Sequence, residues 1–144
     1  LIGRYRKAQT LDTGIFGTSV LLERLFKEGA AETAFRLLAG TGTASFGRMM
    51  QAGATTLWEY WDGQASHNHP MFGSAAKLLF TEILGIRQKE GSCGFADYSV
   101  EPAPIPGLLW AEGSIRTAAG TISVKWRRDE KGRLELTSHL DAAR

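Results

Sequence analysis

Residues 87–94 read RQKEGSCG, and the chain changes character across them. Upstream, apolar residues recur every three or four positions; downstream, they alternate with polar ones. The spacing therefore predicts an α+β fold in two parts, an α-helical segment over 1–87 and an antiparallel sheet segment over 88–144. The stretch itself is polar and holds two glycines, the composition of a linker or a long turn.

Working back from it, Phe72 to Leu84 carries Leu78, Leu79, Phe80, Ile83 and Leu84 on one apolar face and predicts a long third helix. Two earlier helices are expected. In the first, Ile15, Phe16, Val20, Leu21, Leu25 and Phe26 form the apolar stripe, Asp12 or Thr13 is placed to cap the start, and Gly29 ends it. The second runs from about Ala31 to Leu38, with Ala34, Leu37 and Leu38 on one side, and the short connection makes the pair a hairpin. A brief helical turn over Phe46 to Gln51 follows.

Working forward, Thr121 to Arg127 sets Ile122, Val124 and Trp126 on one face against Ser123, Lys125 and Arg127 on the other. Arg133 to Leu140 alternates similarly, and Asp129 to Gly132 joins the two as a hairpin. Phe95 to Glu101 and Leu108 to Arg116 are weaker strand candidates, separated by Pro102, Pro104 and Pro106, which exclude helix there. Four strands with one apolar face are half of a sandwich.

Composition bounds the function classes. The 144 residues are 43% hydrophobic and 22% charged, the make-up of a folded domain. A net charge of +2, spread along the chain, argues against nucleic acid or an anionic membrane surface as partner. No apolar run approaches the length of a membrane span. The opening LIGRYRKAQT lacks the apolar centre of a signal peptide and reads as the tail of an element already under way. The single cysteine, Cys93, has no intrachain partner and no activating neighbour in sequence.

The chemistry concentrates in GATTLWEYWDGQASHNHPMFG, residues 53–73. Two of the four Trp, one of the three Tyr and two of the three His lie there, around an isolated carboxylate, Glu59. Flat aromatic faces beside a carboxylate suit a sugar, whose C–H groups stack on indole while an acid or base works on its ring positions. The commoner use of such residues is also open: Trp58, Tyr60 and Trp61 as core aromatics, with Glu59 paired to an Arg. The stretch is loop-like, with Asp62-Gly63 a turn signal and His69-Pro70 preceding a helix start.

Five motifs stand in order along nearly the whole chain: LDTGIFGT at 11–18, GATTLWEYWDG at 53–63, HNHPMFGS at 67–74, GFADYSVEP at 94–102 and GLLWAEGS at 107–114. Together they resemble the bacterial α-L-rhamnosidases of glycoside hydrolase family 78. The resemblance implies the last helices of an (α/α)6 barrel followed by the start of a C-terminal β-sandwich. It implies removal of terminal α-L-rhamnose from glycosides with inversion at the anomeric carbon. On this resemblance Glu59 is the general base that activates water, His69 contacts the sugar, and Trp58 and Trp61 are walls of the site. It implies a rhamnose-containing glycoside and the remainder of the barrel as partners, with no cofactor and no metal. The family's general acid lies in an earlier acidic motif that nothing here matches, so this chain alone is expected to be inactive and to self-associate through open helix faces. Phe46 and Arg48 depart from the larger aromatics common in the family, and a last sandwich strand is expected to be missing after Arg144.

Other uses of the same residues remain open. His67, His69 and Glu59 are a sparse metal set, and His67 alone suits a loop pin. Asp12 is either a carboxylate with a chemical role or a helix cap. A sugar-binding or scaffold module without chemistry draws on the same aromatics.

Overall fold

The computed structural model describes residues 2–8 and 10–142. They fall into two compact units, Leu1–Lys77 and Leu78–Arg144. The strand expected to be missing after Arg144 lies outside the described residues.

The first unit holds α1 (Ile2–Tyr5), α2 (Gly17–Lys27), α3 (Ala31–Leu38) and α4 (Phe46–Gln51). Helix α2 buries Thr18, Leu21, Leu22, Leu25 and Phe26. At about 100° per residue these share one face. Phe16 and Val20, expected in that stripe, lie off it and are 73% and 68% exposed. Gly29, at φ +74°, turns the chain out of α2, and the amide of Ala30 reaches back to the Leu25 carbonyl at 2.8 Å. Helix α3 then packs against α2 with Ala31, Thr33, Ala34 and Leu37 buried. At α4, Ser45 accepts from the Arg48 amide at 3.1 Å and donates to the Gly42 carbonyl at 2.7 Å, so the cap also ties down the loop before it.

The expected cap of α2 is corrected. Neither Asp12 nor Thr13 caps it; Phe16 stands at the N-cap without a side-chain bond. The Asp12 carboxylate is taken instead by the Tyr5 hydroxyl and the Arg4 guanidinium. Tyr5 is buried, and its hydroxyl meets that need with the nearest carboxylate.

No regular element covers 53–69. The expected helix Phe72–Leu84 is corrected to three short pieces: a 3₁₀ turn over Pro70–Ala75, α5 over Ala76–Leu78 and a π turn over Leu79–Ile83. Pro70 starts the run early because its missing N–H costs nothing at a first helical turn. The π turn takes an extra residue per turn and so shifts the register. Leu79, the first residue of the π turn, is 47% exposed, while Leu78 and Ile83 stay buried.

The second unit is built of β1 (Ile86–Gln88), β2 (Tyr98–Val100), β3 (Trp110–Thr117), β4 (Gly120–Arg128) and β5 (Leu134–Ala142). Strands β1 and β2 pair antiparallel, Ile86 opposite Val100; β3, β4 and β5 form a second antiparallel sheet in that order. The stretch 87–94 is therefore a strand end and a long hairpin turn, not a free linker, and the expected boundary at residues 87 and 88 falls inside β1. The polar side chains of Arg87 and Gln88 hid a strand whose apolar anchor, Ile86, sits just before them. Ile122, Val124 and Trp126 form one buried face of β4 and pack with Leu84 and Ile86. The Trp126 indole N–H donates to the Ile83 carbonyl at 2.9 Å. Asp129 closes the β4–β5 turn, its Oδ1 accepting from the amides of Lys131 and Arg133 at 2.9 Å each.

Candidate active site

The loop carrying Glu59 is shaped by its own backbone. Two arms, 57–59 and 66–69, run side by side: the Glu59 amide donates to the Ser66 carbonyl and the His69 amide to the Leu57 carbonyl, each at 2.8 Å. Between them the chain reverses at Tyr60–Gly63, where the Gly63 amide donates to the Tyr60 carbonyl at 3.1 Å. Gly63 sits at φ +80°, a conformation that glycine adopts without penalty. Its backbone also passes close beneath an aromatic ring, since a Cβ there would lie 3.1 Å from Trp58 Cζ3. Ala65, at φ +58°, completes the reversal.

His67 covers that turn. Its ring stacks on Trp58 with centroids 4.7 Å apart and planes 20° from parallel, and its Nε2 lies 2.7 Å from the Gly63 carbonyl oxygen. The His67 carbonyl in turn accepts from the Thr56 hydroxyl. Beneath the loop, Met49, Trp58 and Phe72 form a buried cluster. Trp61 packs edge-on to Phe46 at 5.2 Å and against Phe72 at 3.9 Å, and its indole N–H donates to the Thr13 carbonyl at 2.7 Å.

The residues singled out in the sequence are placed as follows. Glu59 is half-buried, with Oε2 3.4 Å from the Ser66 amide, and among the described residues no ion pair involves it. The Arg partner that a half-buried carboxylate ordinarily takes is therefore not found among them. His69 is half-buried on the second arm and caps the 3₁₀ turn, its Nδ1 accepting from the Met71 amide at 3.5 Å. Trp58 is 9% exposed, with one face under His67. Trp61 is half-buried. Asp62, the other acid near Glu59 in sequence, is exposed and accepts from the Gln64 amide at 3.1 Å.

His67, Gly63, Thr56 and Thr13 are the supporting residues that the sequence showed only as a pin, a turn, a poor helix former and a candidate cap. Asp62-Gly63 was the legible signal. The pairing of His67 with Trp58 depends on closure of the 60–65 reversal and has no periodic signature. The alternative of a metal set does not assemble: His67 is engaged with Trp58 and Gly63, and no group of three His, Cys, Asp or Glu gathers among the described residues.

Asp12 lies in the same unit, and its electrostatics are those of a structural group. The Tyr5 hydroxyl bond, with Arg4 beside it, holds the carboxyl below the usual carboxylate value, and burial pushes the Tyr5 phenol up. In the second unit, a concavity of about 320 Å³ lies on the polar face of β3–β4–β5, among Glu112, Ser114, Ser123, Lys125, Thr137 and His139. No Trp, Tyr or Phe lines it, and its carboxylate is not isolated, since Lys125 pairs with Glu112 at 2.8 Å.

Similarity to known proteins also divides the chain in two, between residues 83 and 85. Residues 3–83 match the bacterial alpha-L-rhamnosidase 6 hairpin glycosidase domain, and residues 85–140 match the bacterial alpha-L-rhamnosidase C-terminal domain. An alpha-L-rhamnosidase of Alteromonas sp. is 31% identical over 144 residues, covering 92% of this chain and 15% of the relative. One from Streptomyces avermitilis is 29% identical over 133 residues, covering 85% and 13%. Among solved structures, the alpha-L-rhamnosidase of Streptomyces avermitilis complexed with L-rhamnose aligns at a TM-score of 0.79 and 30% identity, over 90% of this chain and 13% of that one. The alpha-L-rhamnosidase of Dictyoglumus thermophilum aligns at 0.75 and 35% identity, over 87% and 14%. The chain thus spans only 13–15% of the length of these proteins. Within that span the match runs through helices, Glu59 loop and sheet alike, and the chain belongs to the bacterial α-L-rhamnosidase family.

Proposed function

We propose that this chain works as part of a longer α-L-rhamnosidase, supplying the general base for hydrolysis of terminal α-L-rhamnosides with inversion. The reading rests most on Glu59: a half-buried carboxylate with no ion pair among the described residues, on a loop fixed at both arms. A base must be held still and left free to take a proton, and that is how Glu59 stands.

In the reaction, a water molecule attacks the anomeric carbon on the face opposite the aglycone. Glu59 takes the water's proton as the C–O bond forms. The glycosidic C–O bond breaks on the other side, and the leaving oxygen takes a proton from an acid elsewhere in the longer protein. The two carboxyl groups of an inverting enzyme stand about 6.5–9.5 Å apart, with room for the water. Asp62, three residues from Glu59 on the same loop, does not meet the demand for an acid on the opposite face. His69, on the paired arm, is the residue we assign to the sugar hydroxyls. Trp58 and Trp61 bound the site as walls, Trp58 stacked against His67 and Trp61 packed on Phe46 and Phe72. The barrel-derived part gives way to the sheet part within residues 78–88.

Glu59→Gln in the full-length protein tests the reading. The expected result is a folded enzyme whose turnover of an aryl α-L-rhamnoside falls by about 10²–10⁴-fold. Turnover within a few-fold of the unmutated enzyme would exclude Glu59 as the base.

A further inference from the structure

Four contacts gather at His67 and its neighbour, two of them made by the His67 ring. The His67 ring lies flat on Trp58, the residue immediately before Glu59, with centroids 4.7 Å apart. Its Nε2 sits 2.7 Å from the carbonyl oxygen of Gly63, at the far side of the turn. Its own carbonyl is held by Thr56, at the start of the first arm. Its neighbour Ser66 accepts the Glu59 amide at 2.8 Å.

We infer that His67 is a positioning residue for Glu59. The inference rests on the assignment of Glu59 as base, and it names what holds that base in place. A carbonyl oxygen only accepts, so Nε2 carries the proton shared with Gly63, and the imidazole bridges the tip of the loop to Trp58 at its root. Two ties, one flat contact and one hydrogen bond, thus stop the 60–65 reversal from swinging relative to 57–59. Glu59 lies between them. Gly63 cannot be moved to compensate, because its backbone already lies against both rings, with the position of a Cβ 3.1 Å from Trp58 Cζ3 and 3.5 Å from His67 Nε2. Removing the imidazole leaves the Gly63 carbonyl without its donor and uncovers one face of Trp58. The carboxylate then samples positions from which the attacking water is poorly aligned. A misplacement of about 1 Å in a catalytic group can lower turnover about 10²-fold.

The role predicts a loss in kcat with little change in KM, because His67 acts on the base and not on the sugar. The test uses the full-length enzyme and an aryl α-L-rhamnoside, comparing His67→Leu, His67→Gln and Glu59→Gln, with amide hydrogen exchange read at Glu59. His67→Leu should lower kcat about 10- to 100-fold, leave KM within a few-fold and speed exchange of the Glu59 amide. His67→Gln, which keeps an N–H able to reach Gly63, should recover a large part of the loss. If His67→Leu fails to fold, the Gln variant decides: its kcat should fall and its Glu59 amide should exchange faster, by less than the Leu change would bring. A kcat within two-fold of the unmutated enzyme in the Leu variant overturns the inference; when the Gln variant alone folds, unchanged exchange of its Glu59 amide does. So does a rise in KM at unchanged kcat, which would make His67 a sugar contact. Should Glu59→Gln retain full turnover, the assignment of the base fails separately, and unchanged Glu59 exchange in the folded His67 variants would then overturn the positioning role as well.

Discussion

The indole N–H of Trp61 donates to the backbone carbonyl of Thr13 at 2.7 Å, joining residues 48 positions apart. The bond fastens the far end of the Glu59 loop to the chain just ahead of α2, where Thr18 also reaches back to the carbonyls of Thr13 and Gly14 at 3.2 and 2.9 Å. The ring itself is held between Phe46 and Phe72.

Trp61→Phe keeps an aromatic ring in that slot and removes only the donor and one fused ring. The expected outcome is a loss of about 0.5–1.5 kcal/mol in stability, since the Thr13 carbonyl loses its shortest partner and keeps the Thr18 hydroxyl. Denaturant unfolding of the full-length protein gives the number. An unchanged midpoint would mean that the bond contributes nothing net.

Gly63→Ala meets two obstacles at once. The position has φ +80°, and the added methyl would press on Trp58 Cζ3 and Cε3 at 3.1 and 3.3 Å. Strain in the left-handed region costs about 1–2 kcal/mol before any contact is counted. The variant should disturb the Trp58–His67 stack, visible as a change in the near-ultraviolet circular dichroism, and lower turnover of the full-length enzyme. A spectrum and rate both identical to the unmutated protein would show that the turn relaxes freely.

The Tyr5–Asp12–Arg4 group makes stability depend on pH at both ends of the scale. The Tyr5 hydroxyl bond holds Asp12 below the ordinary 3.8, so the folded chain takes up this proton less readily than the unfolded one. The contribution is complete above about pH 4 and disappears as pH falls through the lowered folded value. Burial raises Tyr5 above its ordinary 10.0, so its contribution is complete below that value and disappears as pH rises through the raised one. Asp12→Asn should flatten the acid limb of a stability profile measured by thermal melts. An acid limb of unchanged steepness would show that Asp12 does not carry it.

The chain of 144 residues should neither turn over rhamnosides nor remain monomeric by itself. Phe16, Val20 and Met50 are 73%, 68% and 73% exposed, and Leu79 is 47% exposed. Large apolar side chains left open to this degree favour association. Light scattering at rising concentration should show species larger than the monomer, and an activated aryl α-L-rhamnoside should stay intact. A monomer at all concentrations, or hydrolysis abolished by Glu59→Gln, would refute the respective half.

Period and turn chemistry carried much of this fold in the sequence. Ala31–Leu38 and Phe46–Gln51 stand at the expected residues, and Ile122, Val124 and Trp126 share the expected buried face. Local rules failed where a distant residue decided the outcome. Asp12 sits where caps sit, yet buried Tyr5 claims it. Leu79 continues an apolar run, yet it stands 47% exposed where the π turn Leu79–Ile83 begins. Arg87 and Gln88 read as the start of a linker or long turn, yet they continue strand β1, whose partner β2 lies ten residues on. At the site, the aromatics and Glu59 were legible as a cluster. How His67 and Trp61 use their rings was not, because neither contact is periodic.

The ties of the Glu59 loop also differ in the length of chain they close. His67 to Gly63, Ser66 to Glu59 and Thr56 to His67 span 4, 7 and 11 residues, whereas Trp61 to Thr13 spans 48. Closing the longest of these costs about 1 kcal/mol more in chain entropy than closing an eleven-residue loop. Loops of about ten residues close in about 10–100 ns, long before distant segments meet. The reversal around Glu59 is therefore expected to take shape as a local unit before it docks onto Thr13. Changes near Thr13 should then slow the docking and leave the reversal itself intact.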